Sequence, residues 1–285
     1  MFGFLNVYKQ KGSTSHDVVA FLRRVTKIKQ IGHTGTLDPF AEGVLPICIG
    51  KSTRLIEYLA DDKAYIGTVQ LGASTTTYDN EGEIIKSSEM KVTKDDVESA
   101  LAYFRGEIEQ IPPIYSAIKV NGKKLYQYAR NGEEVKIEPR KVNIQKLELM
   151  KFDSDKMQAE LKIECSKGTY IRSIANDLGE KLGTYGHLIK LTRTKAGKFS
   201  VEDSVKQEEL QAIEQVTAHL IYPLDYLDYP KYELSDKEYE KVSHGMGFEC
   251  RLNLSDGVVI LVKEGKLIAA AEHNSGMIKC SKVFI

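Results

Sequence analysis

The sequence reads as an α+β protein: a mixed, largely antiparallel sheet flanked by helices, with a small β-rich tail. Three observations predict this class. Val18, Phe21, Leu22, Val25 and Ile28 recur at helical spacing, whereas Ala159, Leu161, Ile163 and Cys165 alternate as in a half-buried strand. That strand pattern runs through SKGT straight into a second helical pattern, YIRSIANDLGEKLG. From about residue 229 the character changes, and VVILVK and KLIAAAE flank Glu264-Gly265 as in a hairpin.

Taken in order, Thr14 followed by Asp17 forms a capping box that opens a helix over 15–29, whose outer face carries Arg23, Arg24 and Lys27. A glycine-punctuated loop follows, GHTGTLDPFAEGVLPICIG, from Gly32 to Gly50. Pro39 fixes its own φ and biases Asp38 toward extended geometry, so no helix runs through the pair. AYIGTVQLG (64–72) has strand composition, and DDVESALAYFRG (95–106) is a helix with Val97, Leu101 and Phe104 inward. Residues 110–132 open with two prolines and carry a central Asn-Gly turn. QAELKIEC (158–165) is the alternating strand, and the helix after it places Ile171, Ile174, Leu178 and Leu182 inward and ends at Gly183. In the tail, YPKYELSDKEYEKVSHG contains a short helix and MIKCSKVFI is a last strand.

The chain has 285 residues, enough for one large core or for a main domain with a small companion. No apolar run approaches the roughly 18 residues of a membrane-spanning helix. The start has no basic residue ahead of its short apolar stretch and no A-x-A-like site, so no signal peptide is expected. Cys48, Cys165, Cys250 and Cys280 are widely spaced and form no C-x-x-C pair, which argues for reduced thiols in a cytoplasm and against zinc. The net charge is zero, but it is unevenly spread. Segments 1–60, 61–110, 111–200 and 201–285 carry net +4, −6, +8 and −6. The two basic segments could hold a polyanion if they share a face; on charge alone, solvated surface lysine is the plainer reading.

Three chemistries compete for the Gly32–Gly50 stretch. Gly50-Lys51-Ser52 resembles the end of a phosphate loop, but that pattern needs glycine where Leu45 stands, and Pro46 stiffens the run. Asp38 with Glu42 would be a glycosidase-like carboxylate pair, on weak grounds. The third is a single nucleophilic or electrostatic aspartate, which needs a cation to hold it in apolar surroundings.

These residues also carry a resemblance. Gly32-His33-Thr34-Gly35-Thr36-Leu37-Asp38-Pro39, with Ala41, Gly43-Val44-Leu45 and Gly50, resembles the active-site motif of the TruB family of bacterial tRNA pseudouridine synthases. KAYIGTVQLG, QIPPIYSAIKVNGKKLYQYARNG, CSKGTYIRSIANDLGEKLG and LTRTKAGKF are similar to further segments of that family, so the likeness runs in order over roughly residues 5–200. It implies a pseudouridine synthase catalytic domain over 1–228 and a small RNA-binding, PUA-like domain over 229–285. It implies isomerisation of uridine to pseudouridine at position 55 in the T-loop of tRNA, with no cofactor and no metal, by a stand-alone monomer needing no protein partner.

The resemblance also assigns roles. Asp38 is the catalytic carboxylate, acting at C1′, at C6 or through a glycal route. Arg172 pairs with it, and Tyr65 is the base that removes the C5 proton. Tyr65 and Tyr170 hold a flipped-out base, Leu191 closes the apolar side of the pocket, and His33 is the wedge that fills the vacated stack. The two basic segments then find a use, since Lys9, Lys11, Arg23, Arg24, Lys119, Lys123, Lys124 and Arg130 could track phosphates. The chain departs from the family pattern at Gln10, Thr76 and Thr192, where proline, aspartate and arginine are usual. Two rival functions fit the charge and aromatic content: an RNA-binding module without chemistry, and a nucleosidase releasing free base.

Overall fold

The computed structural model describes all 285 residues. Its main sheet has ten strands: β1 (Gly3–Lys9), β2 (Ile31–His33), β3 (Glu42–Ile49), β4 (Lys63–Leu71), β5 (Gly106–Gln110), β6 (Arg140–Asp153), β7 (Gln158–Cys165), β8 (Gly186–Ala196), β9 (Phe199–Ser200) and β10 (Val205–Lys206). The order across the sheet is β10-β1-β3-β8-β4-β7-β6-β5, with β2 on β3 and β9 on β8. Only β1–β10 and β3–β8 are parallel, so the sheet is mixed and largely antiparallel.

Four longer helices matter here: α1 (Ser15–Thr26), α2 (Lys94–Leu101), α3 (Ile171–Leu182) and α4 (Asp236–Ser243). The Thr14–Asp17 capping box opens α1, which stops earlier than the sequence suggests because Lys27 turns into the left-handed region (φ 59°). The expected 95–106 helix is shorter too: α2 ends at Leu101 in a 3-10 turn, and Gly106 already begins β5. Around the Asn-Gly turn, Asn121 and Gly122 both take positive φ (50° and 80°), the geometry of a tight hairpin joining Lys119–Val120 to Lys123–Lys124. Gly183 caps α3 at φ 72°.

The Gly32–Gly50 stretch differs from the loop expected of it. Its second half is the central strand β3, despite Gly43 and Pro46. Val44, Leu45, Ile47, Cys48 and Ile49 are all fully buried, and that burial overrides the local breakers. One large apolar cluster lies between α2, α3 and strands β4, β6, β7 and β8; a second lies beneath α1.

The small sheet has β11 (Lys231–Glu233), β12 (Phe248–Glu249), β13 (Gly257–Lys263), β14 (Lys266–Asn274) and β15 (Met277–Val283), in the order β11-β13-β14-β15-β12. Glu264-Gly265 makes its β13–β14 hairpin turn. It has its own core around Tyr232, Leu261 and Ile268, and it shares a second cluster with the main body through Phe4, Leu227, Ile260 and Phe284.

Candidate active site

The loop between β2 and β3 is fastened at five successive carbonyls. Arg193 Nη2 donates to Gly35 O (3.1 Å) and Nη1 to Thr36 O (3.3 Å). Ser15 Oγ donates to Leu37 O (3.0 Å) and accepts from Leu37 N–H (2.8 Å). Asp38 O accepts from Ala41 N–H (3.1 Å), and Pro39 O accepts from Gly12 N–H (2.8 Å) and Lys9 Nζ (3.4 Å). With Pro39 restricting the adjoining backbone, Asp38 stands on a rigid platform at a half-buried position.

Its cation arrives on α3. Arg172 is buried at the first turn of that helix, and its Nε lies 2.9 Å from Asp38 Oδ2. The Nε–H is not directed at an acceptor, so the contact is an ion pair rather than a linear hydrogen bond. Nη1 donates to Thr77 O (2.9 Å) and sits 3.4 Å from Asp79 Oδ2, and Nη2 donates to Tyr115 O (3.0 Å). One guanidinium thus ties the Asp38 loop, the 77–79 turn and the segment before the Asn-Gly hairpin to the start of α3. The helix start is itself clamped: the Gln110 amide donates to Tyr170 O (3.0 Å) and accepts from Tyr170 N–H (2.8 Å).

Asp38, Arg172, Tyr65, Tyr170 and Leu191 line one cleft of about 400 Å³, together with Lys63, Tyr115, Ser116, Tyr126 and Gly168. Tyr65 projects from β4, and burial pushes its hydroxyl up to about 12, against the pull of Arg193 beside it. Burial likewise raises Tyr170, partly offset by Ser116. Both phenols are neutral at ordinary pH, suited to stacking and hydrogen bonding.

Other residues expected at the site fall elsewhere. Lys9 cannot track phosphate. It is fully buried, and its ammonium donates to Gln10 O, Ser13 O and Pro39 O. Its place is behind the Asp38 loop, where burial lowers its pKa to about 8. Lys119 is exposed on its hairpin. His33 ends β2 opposite Ile47, half-buried and outside the lining of the cleft, with Nδ1 unpartnered. Burial, then the charge of Arg193, lowers its pKa, which favours a neutral ring.

The three departures are accommodated on the surface or by new contacts. Gln10 Nε2 donates to Glu208 (2.9 Å), Thr76 Oγ1 accepts from Glu83 N–H (3.2 Å), and Thr192 Oγ1 donates to Glu42 (3.4 Å). Sequence reasoning missed Arg193, Asp79 and Lys63. Arg193 had a signal: it stands two residues after Leu191 on a strand, and so on the same inward face.

A mixed sheet whose interior strands carry this loop and pack against α3, with a small β-rich C-terminal domain, is the pseudouridine synthase fold. Solved structures share it over the whole chain. They include an H/ACA RNP bound to a substrate RNA containing 2′-deoxyuridine (22% identity, TM-score 0.75, covering 100% of this chain and 85% of that one) and a Cbf5-Nop10-Gar1 complex (23%, 0.75, 100% and 85%). In sequence, residues 23–171 match the family model described as TruB family pseudouridylate synthase (N terminal domain), and 172–227 match the tRNA pseudouridylate synthase B C-terminal domain. The tRNA pseudouridine synthases B of Staphylococcus aureus strains JH9 and Newman are each 41% identical over 283 residues, 94% of this chain and 93% of theirs. The chain belongs to the TruB family of pseudouridylate synthases.

Proposed function

We propose that this enzyme converts uridine to pseudouridine at position 55 in the T-loop of tRNA, with Asp38 as the acting carboxylate. The observation that carries the reading is the Asp38–Arg172 ion pair in a cleft walled by Tyr65, Tyr170 and Leu191. Isomerisation breaks N1–C1′, turns the base and joins C5 to C1′; C5 gives up a proton and N1 takes one up, so atoms balance without an external reactant. Asp38 captures the nucleotide, and the two tyrosines with Leu191 hold the detached uracil between flat and apolar surfaces. Tyr65 stays a neutral hydroxyl in the free enzyme. To accept the C5 proton it must first give up its own, which passes to N1 of the detached base, and Arg193 beside it stabilises the phenolate so formed.

The cleft admits one base only if that base leaves its stack, and His33, neutral and flat at the loop's entry, is suited to fill the gap. Lys119, Lys123, Lys124 and Arg130 border the cleft segment and support the stem, while residues 229–285 serve as the small RNA-binding domain. The cytoplasm is the compartment that suits a tRNA substrate and unpaired thiols, and no helix is long and apolar enough to cross a membrane.

The test is incubation with a T-arm stem-loop followed by carbodiimide mapping. A stop at the target uridine with unchanged RNA mass supports the isomerase, released uracil marks a nucleosidase, and binding without either marks a binding module. Asp38→Asn should abolish product and leave RNA binding nearly intact; turnover in that variant would remove Asp38 from the mechanism.

A further inference from the structure

Two side-chain cations line the cleft, and only one is engaged. Arg172 is engaged by Asp38, Asp79 and two carbonyls. Lys63, the first residue of β4, is half-buried, and its ammonium makes no hydrogen bond and no ion pair with the protein. Its acidic neighbours are taken: Asp61 by Lys167 (2.5 Å) and Asp62 by Lys195 (3.2 Å). The side chain lies along Gly35, where an added Cβ would stand 3.5 Å from its Cε and 3.8 Å from its Nζ. Burial, then the charge of Arg193, lowers its pKa, so the protein withholds solvent from this ammonium and offers little in return.

An arrangement of this kind is completed by an anion from outside. Uridine is neutral in its base and sugar, so the anionic group it brings is the phosphodiester. Lys63 opens β4 two residues after exposed Asp61 and is half-buried, whereas Tyr65, two residues further along the strand, is buried, so Lys63 stands on the solvent side of the base-holding wall. We infer that Lys63 is the phosphate anchor of this cleft: its ammonium takes a phosphodiester flanking the extruded nucleotide and so seats the ribose against Asp38. The inference rests on the reading that a flipped-out uridine of RNA occupies the cleft.

The experiment compares wild type, Lys63→Met and Lys63→Arg on a T-arm stem-loop and on two versions with a neutral methylphosphonate, one 5′ and one 3′ of the target uridine. Lys63→Met should raise KM by roughly ten- to a hundred-fold, the range of one charge-assisted hydrogen bond, with kcat changed far less. Lys63→Arg should recover most of the loss, and the slope of log affinity against log salt should fall by about one in Lys63→Met. Wild type should lose the same factor on one of the two neutral-linkage RNAs, and Lys63→Met should lose nothing further on that RNA. A Lys63→Met enzyme equal to wild type, or losses that simply add on both neutral-linkage RNAs, would overturn the assignment while the isomerase stands. Wild type silent on the natural stem-loop would remove both.

Discussion

Arg172→Met is the most exacting perturbation of the site, because it separates two jobs that one guanidinium performs. In the folded protein Arg172 is 4% exposed and meets two carboxylates and two carbonyls. Deleting one partner of a buried pair costs about 3–5 kcal/mol, since the other charge is stranded. Here that charge is Asp79, whose side chain is 5% exposed; Asp38, at 35%, can draw on water. Asp79 keeps hydrogen bonds from Thr77 Oγ1 (2.5 Å) and Glu81 N–H (3.0 Å), so the expected loss lies near the lower end, about 3 kcal/mol. Adding Asp79→Asn removes the stranded charge and should return most of that stability. It should not return activity, because Asp38 still lacks the cation that orients it, and a loss of roughly a hundred-fold or more should persist. Urea unfolding reports the first effect and single-turnover pseudouridine formation the second. Activity within a few-fold of wild type in Arg172→Met, or recovery of activity together with stability in the double variant, would refute the separation.

Tyr65→Phe should bind the stem-loop normally and fail to turn over; with Tyr65 pushed up to about 12, the wild-type rate should show no inflection from it between about pH 6 and 10. His33→Ala should lose far more activity on a folded T-arm stem-loop than on an unfolded analogue, and equal losses would count against a wedge. Gly43→Ala should destabilise the main domain by roughly 2 kcal/mol or more, read as a lowered unfolding midpoint, because the new Cβ would lie 2.3 Å from Arg193 O at a φ of +109°. In the small domain, burial raises Glu238, but hydrogen bonds from Ser235, Tyr232 and Arg251 outweigh it and bring its pKa from 4.5 to about 2. Its stabilisation is therefore full above about pH 4.5 and lost as pH falls toward 2. After discounting for the 57%-exposed Arg251, that amounts to about 1–2 kcal/mol, and Glu238→Gln should flatten this acid dependence of stability.

What could be read from the sequence follows how local each feature is. Helix α1 announces itself through its capping box and its apolar stripe, and the Glu264-Gly265 hairpin through its turn; both signals lie within a dozen residues. Strand β3 was hidden because Gly43 and Pro46 argue locally for a loop, while the force that makes it a strand is burial between β1 and β8. Lys9 was misplaced for the same reason: a lysine's spacing says nothing of whether its ammonium will find three carbonyls behind a loop. The pairing of Asp38 with Arg172 spans more than a hundred residues and was legible only through resemblance. Asp79 lies in none of the family-like segments and Lys63 opens one of them, KAYIGTVQLG, ahead of the tyrosine that drew attention; the place of both became visible only when strands distant in sequence met at the cleft.

The two buried arginines divide the placement of Asp38 between them. Arg193 is fully buried and has no carboxylate within ion-pair distance; carbonyls of Gly35, Thr36 and Val44 take its donors instead. An uncountered guanidinium is costly inside a protein unless dipoles are held against it, and these dipoles belong to the loop that carries Asp38 and to the strand that continues it. The same charge reaches the Tyr65 hydroxyl. Arg193 therefore fixes the backbone on which the carboxylate stands and sets the field at the phenol, whereas Arg172 holds the carboxylate itself. A lysine at 193 carries the charge but lacks the planar fork that reaches three carbonyls at once, so it would loosen Asp38 and shift Tyr65 together; a lysine at 172 would disturb Asp38 and leave the loop in place.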